Sequence, residues 1–176
     1  MGRVAAVVLA AGEGSRFGGP KQRLLLPHVL ERVAASPVDE IVVVEGAYPL
    51  EPSAAGSTPC RVVRCEDWRR GPGASLRRGL GALAPDVEAA VVILADGPEL
   101  APEAVERVVG AWRSGAGPIV AASYGDARSH PLVVERSAWD DVPDTGLRAR
   151  AAVLVACDDL GHPGDVDRPE DMTGDA

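Results

Sequence analysis

The segment from residue 4 to residue 21 constrains the fold of this chain more than any other. It begins with seven consecutive apolar residues, Val4–Ala10. A run of this kind predicts a strand that is buried on both of its faces. The run leads into a glycine-rich loop that contains two cations, Arg16 and Lys21. Because glycine lets backbone N–H groups approach an anion closely, this combination predicts a phosphate site.

Two common phosphate-binding loops fit this segment incompletely. The dinucleotide fingerprint requires G-x-G-x-x-G, but the third glycine here, Gly18, comes one place late. That fingerprint also needs an acid about 20 residues further on. The acid at the end of the next predicted strand, Glu45, lies well beyond that distance. Dinucleotide binding therefore stays open as an alternative. The P-loop is excluded, because Gln22 follows Lys21 where a magnesium-binding hydroxyl is needed.

A third pattern fits more of the loop. Residues 9–21 (LAAGEGSRFGGPK) resemble the L-A-A-G-x-[ST]-x-R-[FM]-G-x-P-K motif of the MobA-like NTP transferases, offset by one residue at the serine. This family includes the molybdenum-cofactor cytidylyltransferases and guanylyltransferases. The resemblance implies catalytic roles for Arg16 and Lys21, which would neutralise charge on a leaving pyrophosphate. It also implies a set of nucleotide-binding residues, namely Leu9, Ala10, Ala11, Gly12, Gly14 and Ser15. An ordinary glycine-rich turn with a solvated arginine and lysine is the alternative.

A second motif follows another buried run. A strand is predicted at Ala90–Leu94, and Asp96 follows it after a single residue, Ala95. A Gly-Pro pair comes next. An acid at the carboxyl end of a buried strand is placed to hold a hard cation. Residues 95–98 resemble the family's G-D-x-P motif, whose aspartate binds magnesium, and this implies a catalytic and metal-binding role for Asp96. An aspartate that merely starts a turn is the alternative.

Residues 65–80 resemble a third family motif, N-x-x-W-x-x-G-x-x-x-S-L-x-x-G-L, whose serine contacts the nucleotide. The matching residue is Ser75. Helix N-termini favour anions, which supports this role, although Ser75 is equally suited to be an ordinary residue of a helix start. Cys65 stands where the family often has asparagine, and this leaves the base or ribose contacts of that asparagine open.

Two further stretches resemble motifs that face the acceptor in the family. Residues 128–131 resemble R-G-H-P, and residues 144–148 resemble G-D-x-G-A-R with Pro143 in place of the usual preceding glycine. The resemblance implies that His130 and Arg148 bind the acceptor. For His130, an ordinary turn histidine is the alternative.

The last nineteen residues are strongly acidic, with seven acids and one base from Asp158 to Ala176. Such a segment is usually solvated. Residues 164–171, however, resemble the family's closing D-[IV]-D-T-P-E-D motif, which supplies a second carboxylate to magnesium. The resemblance therefore implies metal binding by Asp167, with Asp165 as the alternative, together with Asp96.

Composition excludes several other classes of protein. Hydrophobic residues make up 46% of the 176 residues and aromatic residues only 3%, and the net charge is −8. The scarcity of stacking residues and the negative charge argue against a nucleic-acid partner. No apolar run approaches the roughly 20 residues that span a bilayer, and three sparse cysteines are typical of a reducing cytoplasm. We therefore expect one cytoplasmic domain over residues 1–176 that does not associate with membranes.

Apolar runs alternate with helical patterns along the chain. Helices are predicted at Leu26–Ala35, Ala74–Leu83 and Pro102–Trp112. Strands are predicted at Val4–Ala10, Glu40–Val44, Arg61–Val63, Ala90–Leu94, Ile119–Ala122, Leu132–Glu135 and Val153–Ala156. This order predicts a three-layer α/β fold, with a mainly parallel sheet and helices on both faces. The resemblance narrows this to a Rossmann-like nucleotidyltransferase fold. Ligands of such sheets lie at the carboxyl ends of strands, where the glycine-rich loop and Asp96 both fall.

The resemblance implies a Mg²⁺-dependent nucleotidyltransferase, in which an acceptor phosphate attacks the α-phosphorus of an NTP and pyrophosphate leaves. The Ala-Ala-Gly start is similar to the cytidylyl branch of the family, which implies CTP as the donor and molybdopterin as the acceptor. After Lys21 the chain runs almost directly into a helix, whereas the family usually inserts a longer segment that forms part of the nucleotide's wall. Two alternatives stay open, a sugar-phosphate or phospholactate acceptor and a non-catalytic nucleotide-binding accessory protein. We expect a monomer or a weak homodimer.

Overall fold

A seven-stranded sheet forms the centre of the structure, a computed structural model that describes residues 2–13, 22–50 and 56–164. The strands are β1 (Arg3–Ala10), β2 (Glu40–Glu45), β3 (Arg61–Arg64), β4 (Val87–Leu94), β5 (Ile119–Tyr124), β6 (Ala127–Glu135) and β7 (Val153–Ala156). They lie in the order β3-β2-β1-β4-β6-β5-β7. Strand β6 is antiparallel to β4 and β5, and the other pairings are parallel. The mainly parallel sheet predicted from the sequence is confirmed.

Helices cover both faces of the sheet, as predicted. Helices α1 (Gln22–Ala34) and α3 (Pro102–Arg113) pack on one face, and α2 (Pro72–Leu80) packs on the other. Successive residues of a strand point to opposite faces. In β1, Val4, Ala6 and Val8 pack on the side of α1 and α3, whereas Ala5 and Val7 pack on the side of α2, and all five are fully buried. Burial on both faces explains the unbroken apolar run of this strand.

Two helices begin earlier than the sequence patterns predicted. Helix α1 starts at Gln22 and contains Pro27. A proline removes one backbone hydrogen bond, but Leu26, Val29, Leu30 and Val33 bury one face of the helix completely, and such burial stabilises by about 1.5–3 kcal/mol per large side chain. Helix α2 starts at Pro72, a residue suited to a first helical position. It ends at Leu80, three residues before the predicted end.

The hairpin of β5 and β6 extends further than predicted because polar residues continue both strands. From Ile119 to Ala121 the pairing with β6 is regular, but Ser123 then pairs with Arg128, so that β6 contains extra residues at this point. Bulges of this kind re-aim side chains and are common next to functional sites. The bulge lies in the stretch that contains Ser129 and His130.

Two helical glycines provide a matched test of the packing between α2 and the sheet. A Cβ atom at Gly79 would lie 2.5 Å from Val7 Cγ1 and 2.8 Å from Val44 Cγ2, whereas a Cβ at the exposed Gly110 of α3 would meet nothing within 4 Å. Gly79→Ala should therefore lower the free energy of unfolding by about 1–3 kcal/mol through overpacking. Gly110→Ala should raise it by about 0.4–1 kcal/mol. Urea unfolding of both variants measures the difference, and stabilisation by Gly79→Ala would contradict the close packing.

Candidate active site

The carboxyl ends of β1 and β4 meet at the point where the strand order reverses. Leu9 of β1 pairs with Leu94 of β4, and the N–H of Ala95 donates to the carbonyl of Leu9 at 3.1 Å. From β1 the chain leads to β2 on one side of this point, and from β4 it leads through α3 to β5 on the other side. Crevices at such reversal points are where open α/β sheets bind ligands. The structure thus places the start of the glycine-rich loop beside the residue that precedes Asp96.

Crowding explains the small residues that begin this loop. Ala10 and Ala11 are buried, and the carbonyl of Ala11 accepts a hydrogen bond from the N–H of Ala47 at 3.1 Å. A Cβ at Gly46 would lie 2.8 Å from both the Cβ and the carbonyl oxygen of Ala11. The backbone just after β2 therefore approaches this turn too closely for larger side chains. Gly12 is exposed beyond it.

A cavity of about 340 Å³ opens at this edge of the sheet. Asp96, at the end of β4, lines it. Residues of β4 and of the loop after it also line the cavity, namely Ile93, Leu94, Gly97 and Leu100. The remaining lining residues come from the start of β6, from the loop around residue 148 and from residues 162–164; they are Arg128, Ser129, His130, Arg148, His162, Pro163 and Gly164. The sequence-based predictions Asp96, His130 and Arg148 are therefore brought together in one cavity.

The loop after β4 is also tied to the segment that leads into the closing motif. The N–H of Glu99 donates to the carbonyl of Pro163 at 3.0 Å. A Cβ at Gly97 would lie 3.2 Å from the same carbonyl oxygen, so only glycine fits there without displacement. Gly164, the first residue of the stretch that resembles the closing motif, therefore lines the same cavity as Asp96.

Several predicted site residues lie outside the described part of the chain. They are Gly14, Ser15, Arg16, Lys21, Asp165 and Asp167. Their roles stay predictions. Within residues 2–13, 22–50 and 56–164, no group of three or more His, Cys, Asp or Glu side chains is arranged to hold a metal ion.

His130 is held as a neutral side chain in the cavity. Burial lowers its pKa from 6.5 to about 4, the negative charge of Asp96 opposes this shift, and Arg128 adds to it. At neutral pH the imidazole therefore carries no charge, and each of its nitrogens is limited to one role, donor or acceptor. It can orient a ligand by a hydrogen bond rather than attract an anion.

Arg128 is a cavity residue that the sequence analysis did not select. Its Nη1 donates to the carbonyl of Arg150 at 2.6 Å, and its buried Nη2 has no hydrogen-bond partner among the described residues. Burial lowers the pKa of the guanidinium, but an arginine side chain in a protein keeps its proton. Together with Arg148 it makes one side of the cavity cationic. Its position two residues before His130, in the same motif, could have identified Arg128 as a site residue.

Ser75, which the motif resemblance assigns to the nucleotide, belongs to α2. It is buried in α2, with 4% exposure, and is not among the described residues that line the cavity around Asp96. The start of α2 lies beneath residues 143–144, and the N–H of Gly73 donates to the carbonyl of Asp144 at 2.9 Å. Ser75 therefore does not share the cavity of Asp96.

Asp144, in the motif expected to face the acceptor, binds two arginines instead. Arg70 Nη2 contacts Asp144 Oδ2 at 3.1 Å, and Arg77 Nη2 contacts Oδ1. The hydrogen bonds from Arg77 and Arg70 lower the pKa of this carboxyl group. Only Arg148 of this motif lines the cavity.

With this geometry established, the comparisons with known proteins identify the family. A family model described as the MobA-like NTP transferase domain matches residues 6–158. The chain belongs to this family. It is a nucleotidyltransferase, as the resemblance of the loop motif predicted. No curated protein sequence matches the chain significantly.

Solved structures show the same fold. Rv0371c from Mycobacterium tuberculosis H37Rv is 27% identical, with a TM-score of 0.77 over 97% of this chain and 96% of that one. A structure of the same mycobacterial protein in complex with manganese has a TM-score of 0.75 at 25% identity, over 97% of this chain and 96% of that one. A nucleotidyl transferase from Methanothermobacter has a TM-score of 0.72 at 20% identity, over 97% and 94% of the two chains.

The helices of this transferase domain are short or amphipathic. None in the described part of the chain combines the length and the apolar character needed to cross a membrane.

The low pKa of His130 predicts a pH dependence of stability. Between pH 6.5 and about 4 the unfolded chain binds a proton at this histidine and the folded protein does not, so the free energy of unfolding falls as the pH falls through this window. The loss amounts to at most about 3 kcal/mol. Urea unfolding at pH 4.5, 5.5 and 6.5 should show a shallower pH slope for His130→Gln than for the native chain. A His130 that titrates near pH 6.5 by NMR would contradict this account.

Proposed function

We propose that this transferase moves a nucleoside monophosphate from an NTP to a small phosphorylated acceptor and releases pyrophosphate. The observation that carries the proposal is the cavity at the reversal point of the sheet, which combines Asp96 with two arginines. An acid suits a divalent cation and arginines suit an anion. Their arrangement in one cavity, next to the start of a glycine-rich loop, fits a triphosphate and a second anionic substrate.

The nucleotide is assigned to the β1 side of this edge. The segment from Leu9 to Ser15 and the buried Ser75 would contact the NTP, and Arg16 and Lys21 would neutralise charge on the leaving pyrophosphate. These roles rest on the motif of residues 9–21 and on the hydrogen bond from Ala95 to Leu9, which holds the start of the loop beside the turn of Asp96. Preorganised charges of this kind stabilise the transition state without forming a covalent intermediate.

A divalent cation, Mg²⁺ in our proposal, is assigned to Asp96 and Asp167, with Asp165 as the alternative. Asp96 offers the hard oxygen ligand that such cations prefer, and the hydrogen bond between Glu99 and Pro163 holds its loop against the entry to the closing motif. The described side chains provide no competing metal cluster. When bound, the cation would polarise the α-phosphate. The manganese complex of the mycobacterial homologue supports a divalent metal in general.

The acceptor is assigned to the part of the cavity that is lined by Arg128, His130 and Arg148. The two arginines can neutralise the acceptor phosphate, and the neutral His130 can donate or accept one hydrogen bond to orient it. Placing the acceptor there would align it with an α-phosphate bound beside Asp96. Such alignment contributes much of the rate in transfers of phosphoryl type.

By its resemblance to the cytidylyl branch, we propose CTP as the donor and molybdopterin as the acceptor. Helix α1 begins directly at Gln22, immediately after Lys21, so the nucleotide's wall lacks the longer family segment. This feature keeps a sugar-phosphate or phospholactate acceptor, and a non-catalytic accessory protein, as alternatives. We further propose a single domain over residues 1–176, a cytoplasmic location and a monomeric or weakly dimeric state.

Thermal unfolding with ATP, CTP, GTP and UTP, each with and without Mg²⁺, tests the donor. We expect the largest rise in Tm with CTP and only in the presence of the metal, because a ligand that binds the folded state stabilises it by mass action. A larger rise with another NTP would reassign the donor. A rise without pyrophosphate release for any acceptor in a panel of phosphorylated compounds would favour the accessory protein.

Substitutions of one proposed pyrophosphate contact and of one proposed metal ligand test catalysis. Lys21→Ala and Asp96→Asn should each lower the rate of pyrophosphate release by about 10²-fold or more, because each removes one preorganised charge. Asp86→Asn is the matched control, since Asp86 forms an exposed ion pair with Arg3 at the start of β1, remote from the carboxyl edge. A full rate in either site variant would overturn the assignment.

A further inference from the structure

The carboxylate of Asp144 joins two parts of the molecule that serve different substrates in the proposed function. Arg70 donates from Nε and Nη2 to Asp144 Oδ2 at 3.3 and 3.1 Å. Arg77 of α2 donates from Nη2 to Oδ1, and its Nη1 donates to the carbonyl of Val142 at 2.6 Å. Both carboxylate oxygens are therefore engaged by arginines of the segment 70–77. This occupancy argues against direct contact of Asp144 with an acceptor phosphate.

The backbones at this junction are packed without intervening side chains. A Cβ at Gly73 would lie 1.7 Å from the carbonyl oxygen of Pro143, and a Cβ at Gly71 would lie 2.3 Å from that of Asp144. Gly71 also has a φ of 129°, which L side chains rarely adopt. We call residues 142–146 the bridge segment. Because its backbone packs directly on the start of α2, the two parts move together or separate completely.

The bridge segment leads directly to Arg148 in the cavity. Between them Leu147 is buried in the core on the α2 face of the sheet. Beyond them, the carbonyl of Arg150 accepts the hydrogen bond of Arg128. The backbone on either side of Arg148 is therefore anchored, through Asp144 to α2 and through the carbonyl of Arg150 to β6. Asp144 forms the first of these connections.

We propose that Asp144 is a positioning residue that couples helix α2, on the nucleotide side, to Arg148, on the acceptor side, so that NTP binding orders the acceptor half of the cavity. The coupling rests on the proposed function, because it needs a nucleotide that contacts α2. A ligand shifts such an equilibrium only through contacts that differ between the two states. The contacts of the NTP with an ordered α2 supply that difference, and the bridge segment transmits the ordering to Arg148.

Hydrogen exchange of the full chain, with and without CTP and Mg²⁺, tests the coupling. In the native protein, nucleotide should slow exchange both at residues 72–80 and at residues 142–150. In Asp144→Ala the slowing at residues 72–80 should persist, and the slowing at residues 142–150 should be lost. A partly exposed arginine–carboxylate network of this kind accounts for a change of about twofold to fivefold in exchange rate.

Two further variants separate coupling from general destabilisation. Arg70→Gln removes only the contact to Oδ2 and keeps both hydrogen bonds of Arg77, so it should reduce the nucleotide response at residues 142–150 without abolishing it. Asp86→Ala breaks the comparable exposed pair with Arg3, and it should leave the response unchanged.

The outcomes distinguish this coupling from the proposed function. Slowing at residues 72–80 of the native protein with no response at residues 142–150 would overturn the coupling and leave the transferase intact. A normal response at residues 142–150 in Asp144→Ala would also overturn it. Absence of slowing anywhere with CTP, ATP, GTP or UTP would overturn the proposed nucleotide site, and the coupling with it.

Discussion

The parallel pairing of β1 with β4 is the constraint on which the rest of the structure depends. It ends in the hydrogen bond from Ala95 to Leu9, which places a glycine-rich loop and an acidic turn side by side. Both strands are buried on both faces, so their register is fixed by the packing of two cores at once. A shift of one residue would exchange the faces and move Asp96 away from the loop. The position of the candidate site therefore follows from core packing.

The antiparallel strand β6 gives the site its second half. A fully parallel sheet would direct only strand ends toward this edge, whereas β6 begins there and contributes Arg128, Ser129 and His130 from its first residues. The cavity thus has an acidic side at the end of β4 and a cationic side at the start of β6. Opposed charges of this kind suit a metal-bound triphosphate on one side and an acceptor anion on the other. Burial keeps His130 neutral between them.

The sequence predicted the sheet and the placement of Asp96 well, because both follow from local patterns. Uninterrupted apolar runs such as Val4–Ala10 occur where a strand is buried on two faces, and an acid after such a run must lie at the carboxyl edge. Motif resemblance selected His130 and Arg148, and the structure places both in the cavity that Asp96 lines. The extension of the β5–β6 hairpin was not predicted, because its residues are polar and lie at the cavity rather than in the core. They therefore lack the apolar pattern by which the other strands were predicted. The partners of Asp144 lie 67 and 74 residues away in the chain, and no local pattern specifies them.

A crystal of the protein soaked with CTP and Mn²⁺ tests the central claim most directly, because anomalous scattering locates the metal independently of the protein map. We expect a manganese peak within about 2.5 Å of an Asp96 carboxylate oxygen. We also expect triphosphate density between that metal and the loop that begins at Gly12. Metal and triphosphate bound at any other edge of the sheet, with the cavity around Asp96 empty of both, would contradict the proposed site.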